Sequence, residues 1–200
     1  MKKVILMFAV IFVSVTYAQE KKSNDTSSTV DVDNSIVNWK GFKPTGEHFG
    51  TISIAEGFLE INQGVLVSGS FAFDMNTIVD TDMPADNQYN AKLVGHLKSA
   101  DFFDVAKYPT ATFVITSVKR VEGGLSICGD LTIKDVTKNI TFTASLSNEG
   151  GVDTLKGEKF MVNRADYNVT YKSKTFFNDL KDKFINDEFE ISFEVKTTRK

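Results

Sequence analysis

The stretch Glu188-Phe189-Glu190-Ile191-Ser192-Phe193-Glu194-Val195-Lys196 alternates between polar and apolar residues without a break. A strand sends successive side chains to opposite faces, so Phe189, Ile191, Phe193 and Val195 share one face and the charged residues and Ser192 share the other. Wound as a helix, the same residues would put Phe189 and Phe193 on one side of the axis and Ile191 and Val195 on the other. The stretch therefore specifies a strand with one buried and one wet face.

The same period of two recurs towards the N-terminus. Ile140, Phe142, Ala144 and Leu146 alternate with Thr141, Thr143 and Ser145, and Phe113 and Ile115 face away from Thr112 and Thr116. Leu125, Ile127, Leu131 and Ile133 line one face of another run. Val65, Val67, Phe71 and Phe73 are expected to share a face, with Gly69 between them as a bend or bulge. Turn signals at Glu56-Gly57, Gln63-Gly64, Glu122-Gly123-Gly124 and Asn148-Glu149-Gly150-Gly151 separate the runs. The count is eight to ten strands joined by short, hence antiparallel, connections. One segment departs: Asn90 is positioned to cap a helix carrying Leu93, Val94 and Leu97 and ending near Ser99-Ala100. A second helical turn is expected around Phe176–Leu180. These elements fit a sandwich or a barrel, and a closed barrel of about eight strands has room for one elongated ligand.

Length and composition narrow the class. The 200 residues suit one domain, and 23 Lys+Arg against 26 Asp+Glu give a formal charge of −3, which argues against nucleic acid as a partner. Lys2 and Lys3, the apolar run Val4–Val15 and a small residue, Ala18, form the pattern of a signal peptide over residues 1–18. The 12 residues of that run fall short of the ~20 that span a bilayer, so no stable membrane span is expected. Cleavage near Ala18 would deliver a periplasmic or secreted chain, and loss of two lysines would take the charge to −5. Gln19–Thr29 holds no apolar residue and reads as a flexible leader, leaving residues 30–198 as the domain. Cys128, the single cysteine, cannot form an intrachain disulfide and reads as a small, partly buried strand residue.

Seventeen phenylalanines in 200 residues is 8.5%, and only Phe8 and Phe12 belong to the signal. The other 15 fall on the apolar face of their strands wherever a face can be assigned. They make either a filled aromatic core or a greasy lumen for an acyl or prenyl chain. The residues placed on a lumen wall are Phe71, Phe73, Phe113, Ile115, Phe142, Phe160, Phe189, Ile191 and Phe193, with Trp39 and Phe42 on a strand that does not alternate cleanly.

The segment from His96 to Phe113, HLKSADFFDVAKYPTATF, strongly resembles the signature of the YceI-like family. Gly129–Lys138 (GDLTIKDVTK) is similar to that family's later hairpin, Val162–Tyr167 (VNRADY) to its I-N-R-x-D-[FY] element, and Val32–Trp39 (VDNSIVNW) to its opening strand. The resemblance implies an all-β, extended, antiparallel eight-stranded lipocalin-like barrel capped by one short helix. It also implies a bound polyisoprenoid, isoprenoid quinone or other long-chain amphiphile, no catalysis and no cofactor. A homodimer is plausible in such a family. Asn34 stands where the family pattern has His, Asn168 where many members have Gly, and Gly46–Ile52 resembles a subgroup variant. These departures bear on the polar end of a ligand more than on the fold.

Three polar residues are candidates for the mouth. Arg164 shares parity with Phe160 and Val162, so it points inward and must be paired, with Asp166 or Asp101, or must anchor an oxygen-rich headgroup. His96 is expected to hydrogen-bond from the helical lid to a strand end. His48, the other histidine, lies 48 residues away, a spacing that suggests no shared metal site. Asp101 and Asp104 flank Phe102-Phe103 and read as a capped turn that plugs the barrel with aromatics. Two functions follow: a carrier or scavenger of an amphiphile, or an envelope stress or interaction module in which the barrel is only a scaffold.

Overall fold

A computed structural model describes residues 26–198, so the expected signal peptide and the first part of the leader lie outside the described residues. Nine strands and one helix follow in order: β1 (Thr26–Thr29), β2 (Ile36–Lys43), β3 (Gly46–Asn62), β4 (Val65–Asp80), α1 (Gln88–Lys98), β5 (Thr110–Val121), β6 (Gly124–Ile133), β7 (Val136–Glu149), β8 (Val152–Asn163) and β9 (Glu188–Lys196). All pairings are antiparallel, from β4 through β9 to β2 and β3, and β3 pairs back onto β4 to close the wall. The result is a closed eight-stranded antiparallel barrel with one helix, as the alternation and the resemblance led us to expect.

Nine strands fill eight places because β1 and β2 share one. The first half of β3 pairs with β2 (Val37↔Ile52 to Lys43↔Gly46), and its second half pairs with β1 (Thr26↔Ile61 to Thr29↔Phe58). A single turn of 3-10 helix at Val32–Asn34 joins the two pieces, capped by the Asp31 carboxylate. Thr26–Thr29 thus belong to the wall, which corrects the expectation of a flexible leader up to Thr29. The backbone ladder to β3 orders a segment whose side chains gave no apolar signal.

Two-residue turns at Gln63-Gly64 and Lys134-Asp135 place both residues at positive φ, matching the twist of the flanking strands. Glu56-Gly57, expected as a turn, instead continues β3 at an irregularity between Ile54 and Glu56. In β4 the bulge lies earlier than Gly69. Glu60 pairs Ser68 and Ile61 pairs Leu66, so the extra residue flips the strand's parity. Leu66 is buried, and Val65 and Val67 face solvent rather than joining Phe71 and Phe73. On β3, Phe49 and Phe58 are also turned outward, against the expectation that phenylalanines stay on the apolar face.

The helix forms where expected, but Asn87 caps it, accepting from the Tyr89 N–H at 2.9 Å. Asn90 lies inside the first turn, buried, with its amide bonded to the end of β4. Residues 176–180 form no helical turn. Phe176 and Phe177 lie exposed, and a short 3-10 turn follows at Lys181–Lys183. Cys128 is half-buried on the outer face of β6, its thiol donating to Asn139 Oδ1 at 2.8 Å.

The barrel interior has two zones. At the end away from α1, Leu59, Ile61, Leu66, Leu125, Ile127 and Ala144 pack it solid. At the other end α1, Phe102 and Val105 close over Ile78, Ile133 and Val162. The packed half is aliphatic, and the inward phenylalanines of the strands gather in the other half.

Candidate functional site

Between the packed zone and the helix lies a cavity of about 290 Å³. Its floor is the top of the packed core, where Phe71, Ile115, Leu155 and Val195 both line the space and pack downward. Its ceiling is Leu93 and Leu97 of α1 with Phe102 and Phe103. All eleven residues expected on the lumen wall line it: Trp39 and Phe42 from β2, Phe71 and Phe73 from β4, Phe113 and Ile115 from β5, Phe142 from β7, Phe160 from β8, and Phe189, Ile191 and Phe193 from β9. A strand period of two on a closed wall places them there. Phe142 stacks on Phe160 with centroids 4.5 Å apart, and Phe113 and Phe193 flank it at 5.4 and 5.6 Å. Trp39, inward despite its irregular strand, donates its indole N–H to Thr51 O at 3.3 Å.

His48, His96 and Arg164 also line this cavity, all at the helix end. Outside it a shallower cleft, lined among others by Lys43, His48, Tyr89, Lys92, His96 and Tyr171, leads to solvent. This is the mouth. His96 does not reach a strand end. Its ring packs edge-on against Tyr171 and Phe102, with Nε2 3.8 Å from Asp101. The Phe102-Phe103 plug forms as the turn chemistry suggested, with Asp104 at φ +50.

Arg164 is buried, and its partners are neither Asp166 nor Asp101. The guanidinium donates to three backbone carbonyls: Nη1 to Val169 at 2.7 Å, Nη2 to Ile185 at 2.9 Å and Nε to Asn186 at 3.0 Å. Nη2 also lies 3.3 Å from Asp187 Oδ1, and the group sits 5.3 Å over the Phe102 ring. Burial pulls Arg164 below its ordinary pKa, opposed by the charge of Asp187. Burial pushes the Asp187 carboxyl up, but hydrogen bonds from Ser173 and Thr175, together with Arg164, outweigh it and hold it below the usual carboxylate range. Three of the five guanidinium N–H groups are thereby hydrogen-bonded, with Asp187 as the charge partner, so Arg164 ties residues 164–187 across the barrel end. Asp187 lies 23 positions on in sequence, and no local pattern points to it. Asn168, where the family pattern has Gly, sits at φ +58 in the left-handed region, which Asn tolerates best after Gly. Asn34 is at the opposite end of β2 from the mouth, bonded to Asp31, so that departure does not touch the cavity.

His48 has neighbours the sequence did not assemble. Its Nδ1 lies 3.1 Å from Asp82 Oδ2 and 4.0 Å from Asp80 Oδ2, and its Nε2 lies 3.1 Å from Lys43 Nζ. Burial, then the neighbouring Asp82, push Asp80 up to about 6. Burial raises Asp82 as well, but hydrogen bonding with Asp80, the Phe49 N–H and His48 outweigh it and hold it low. The pair arises because β3 and β4 pair antiparallel here, Gly50 opposite Asp80, and neither residue matches any motif.

Comparison with known proteins agrees with this architecture. The family model of the YceI-like domain matches residues 24–197. Protein YceI of Escherichia coli O157:H7 is 42% identical over 90 residues, covering 41% of this chain and 46% of that protein. The match therefore spans about half the length of the curated relatives. Among solved structures, Burkholderia cenocepacia BcnA superposes with a TM-score of 0.67 at 21% identity, covering 84% of this chain and 99% of that one. A polyisoprenoid binding domain from Saccharophagus degradans, implicated in plant cell wall breakdown, gives 0.61 at 15%, covering 88% and 99%. The Campylobacter jejuni YCEI protein gives 0.53 at 17%, over all of both chains. At these identities the structures speak to the fold, and the fold, the spaced motifs and the matched domain lead to one conclusion: this chain belongs to the YceI-like family.

Proposed function

We propose that this protein binds a long-chain amphiphile, of the polyisoprenoid or isoprenoid-quinone kind, with its chain in the lumen and its polar end at the mouth. The cavity carries this reading: an apolar space walled by strands β2 through β9, closed below by packed side chains and above by a helix. Burying a methylene is worth ~0.8 kcal/mol, so each isoprene unit contributes about 3 kcal/mol before losses, without any directional contact. The likeness in fold to a polyisoprenoid binding domain supports the same class of ligand.

The mouth refines the polar end. Arg164 commits three N–H donors and its charge pair to the loop, and the other polar side chains on the lumen's upper wall are the two histidines, Lys43 and Asn186. That set suits a hydroxyl or quinone carbonyl better than a phosphate. The reading is of a binding protein rather than a catalyst. The signal-like N-terminus supports action in the periplasm or outside the cell, after cleavage near Ala18.

Native mass spectrometry on the chain purified from its own host tests the proposal, with Ala111→Trp as the control. Ala111 is buried on the lumen wall, so an indole there fills the cavity. The wild type is expected to carry an amphiphile that the folded variant lacks. An empty wild type, or equal loading of both, refutes the reading.

A further inference from the structure

At the mouth, the ends of β3 and β4 bring together three groups that compete for the same positive charge. The Asp80 side chain is fully enclosed, with 0% exposure. Its Oδ1 accepts from the Met83 N–H at 3.1 Å and the Asn90 amide at 3.2 Å. Its Oδ2 is buried without a hydrogen-bond partner and faces His48 Nδ1 and the Asp82 carboxylate. Two carboxylate oxygens cannot bond each other without a proton or a cation between them. Lys43 does not supply it, because its ammonium lies on the far side of the imidazole, against Nε2.

The framework is rigid. Asp82 accepts from the Phe49 N–H at 3.1 Å. Gly50 pairs with Asp80 so closely that a Cβ there would lie 1.8 Å from Val79 O. The three ligand atoms, one from each residue, lie within 4.8 Å of one another. At zinc–ligand distances of about 2.0–2.1 Å, a tetrahedron sets its ligands roughly 3.3 Å apart. The His48–Asp82 separation of 3.1 Å already matches, and the His48–Asp80 separation of 4.0 Å closes with a small turn of the half-exposed imidazole.

We propose that His48, Asp80 and Asp82 form a binding site for one divalent transition-metal ion, Zn²⁺ or a similar d-block cation, at the barrel mouth. One imidazole nitrogen and two carboxylates favour such an ion over Ca²⁺ or Mg²⁺, which prefer oxygen alone. Coordination through Nδ1 places the ring proton on Nε2, and the Lys43 ammonium, on an exposed side chain, swings away. The fourth position faces the mouth and takes water. The site shares His48 with the lumen's upper wall, but its three ligand groups come together without any bound amphiphile.

The test uses the full-length chain without a histidine tag, stripped with chelator and titrated with Zn²⁺ alone at pH 7.5. Calorimetry is expected to show one saturable equivalent, with Tm rising by about 5 °C or more at a hundredfold excess over Kd. Asp80→Asn keeps the shape and offers its amide to Asp82, so the metal-free variant should melt about 2–4 °C higher than wild type while losing at least ~10-fold in Zn²⁺ affinity. Asp82→Asn, on a more exposed residue, should lose as much while retaining the wild-type circular dichroism, which covers the case of an Asp80 variant that fails to fold. A wild type without saturable 1:1 binding overturns the proposal, as do folded Asp82→Asn or Asp80→Asn proteins that bind as tightly as wild type.

Discussion

Replacing Arg164 with Met decides whether that residue is a tether or a ligand anchor. Methionine keeps much of the apolar volume and removes every donor. Three carbonyls, of Val169, Ile185 and Asn186, then lose bonds of 2.7, 2.9 and 3.0 Å, and Asp187 loses its only described cationic partner. Charge-assisted bonds are worth ~1.5–3 kcal/mol each; the part-buried carbonyls of Ile185 and Asn186 can recover some of this through water, whereas that of the fully buried Val169 cannot. Breaking a buried pair on one side costs about 3–5 kcal/mol net, and we expect a loss in that range. For a chain of this size it corresponds to a Tm drop of roughly 6–20 °C. Urea unfolding followed by circular dichroism reads it directly. The deficit should also depend on pH. In the wild type the Asp187 pKa is depressed, so its contribution is present above the unfolded value of 3.8 and fades as pH falls through the lower folded value. In the variant Asp187 stays partly buried without Arg164, and its pKa rises. The gap between the two proteins is therefore widest near neutrality and narrows below about pH 4. A variant with wild-type stability that has lost its amphiphile would show that Arg164 is a headgroup anchor and sink the tether argument.

Other substitutions probe the wall and the lid. Leu59→Ala, at a fully enclosed position in the packed zone, should cost ~2–5 kcal/mol in urea unfolding, and a cost below 1 kcal/mol would mean the zone is not packed. Gly129→Ala places a Cβ 2.3 Å from Phe113 Cζ and 2.6 Å from Val114 O, so the backbone must shift; we expect a loss of about 1–3 kcal/mol, checked by thermal melting. Asn87→Ala removes the helix cap, which should cost about 0.5–2 kcal/mol locally and speed ligand exchange across the lid. An unchanged off-rate for a fluorescent fatty-chain probe would show that the mouth does not open there.

The lumen wall was legible because a strand exposes its inward set at every second residue, and closure adds no further rule. The period was misread where a bulge resets it: nothing in Val65-Leu66-Val67 announces that Leu66 turns in. The helix was legible from Leu93 and Leu97, but Asn87 and Asn90 are equally good caps in sequence, and the Asp80 side chain claims Asn90 for itself. The mouth was legible only as isolated residues. The pairing of β3 with β4 puts His48 beside Asp80 and Asp82, more than 30 positions away, and loop geometry alone brings Asp187 to Arg164. Strand β1 was hidden for the opposite reason, since its order comes from backbone pairing that its polar side chains do not report.

The shared place of β1 and β2 in the wall has a consequence for how the chain comes into being. Thr29 meets Thr198 across 169 positions, and Ile36 meets Glu194. The first strands wait beside β3 with one side unpaired until the last strand emerges from the ribosome. Until then the barrel has an open seam and no sealed interior. Closure is thus a late, whole-chain event, because the β2–β9 seam joins the two ends of the domain while most other pairings join neighbouring strands.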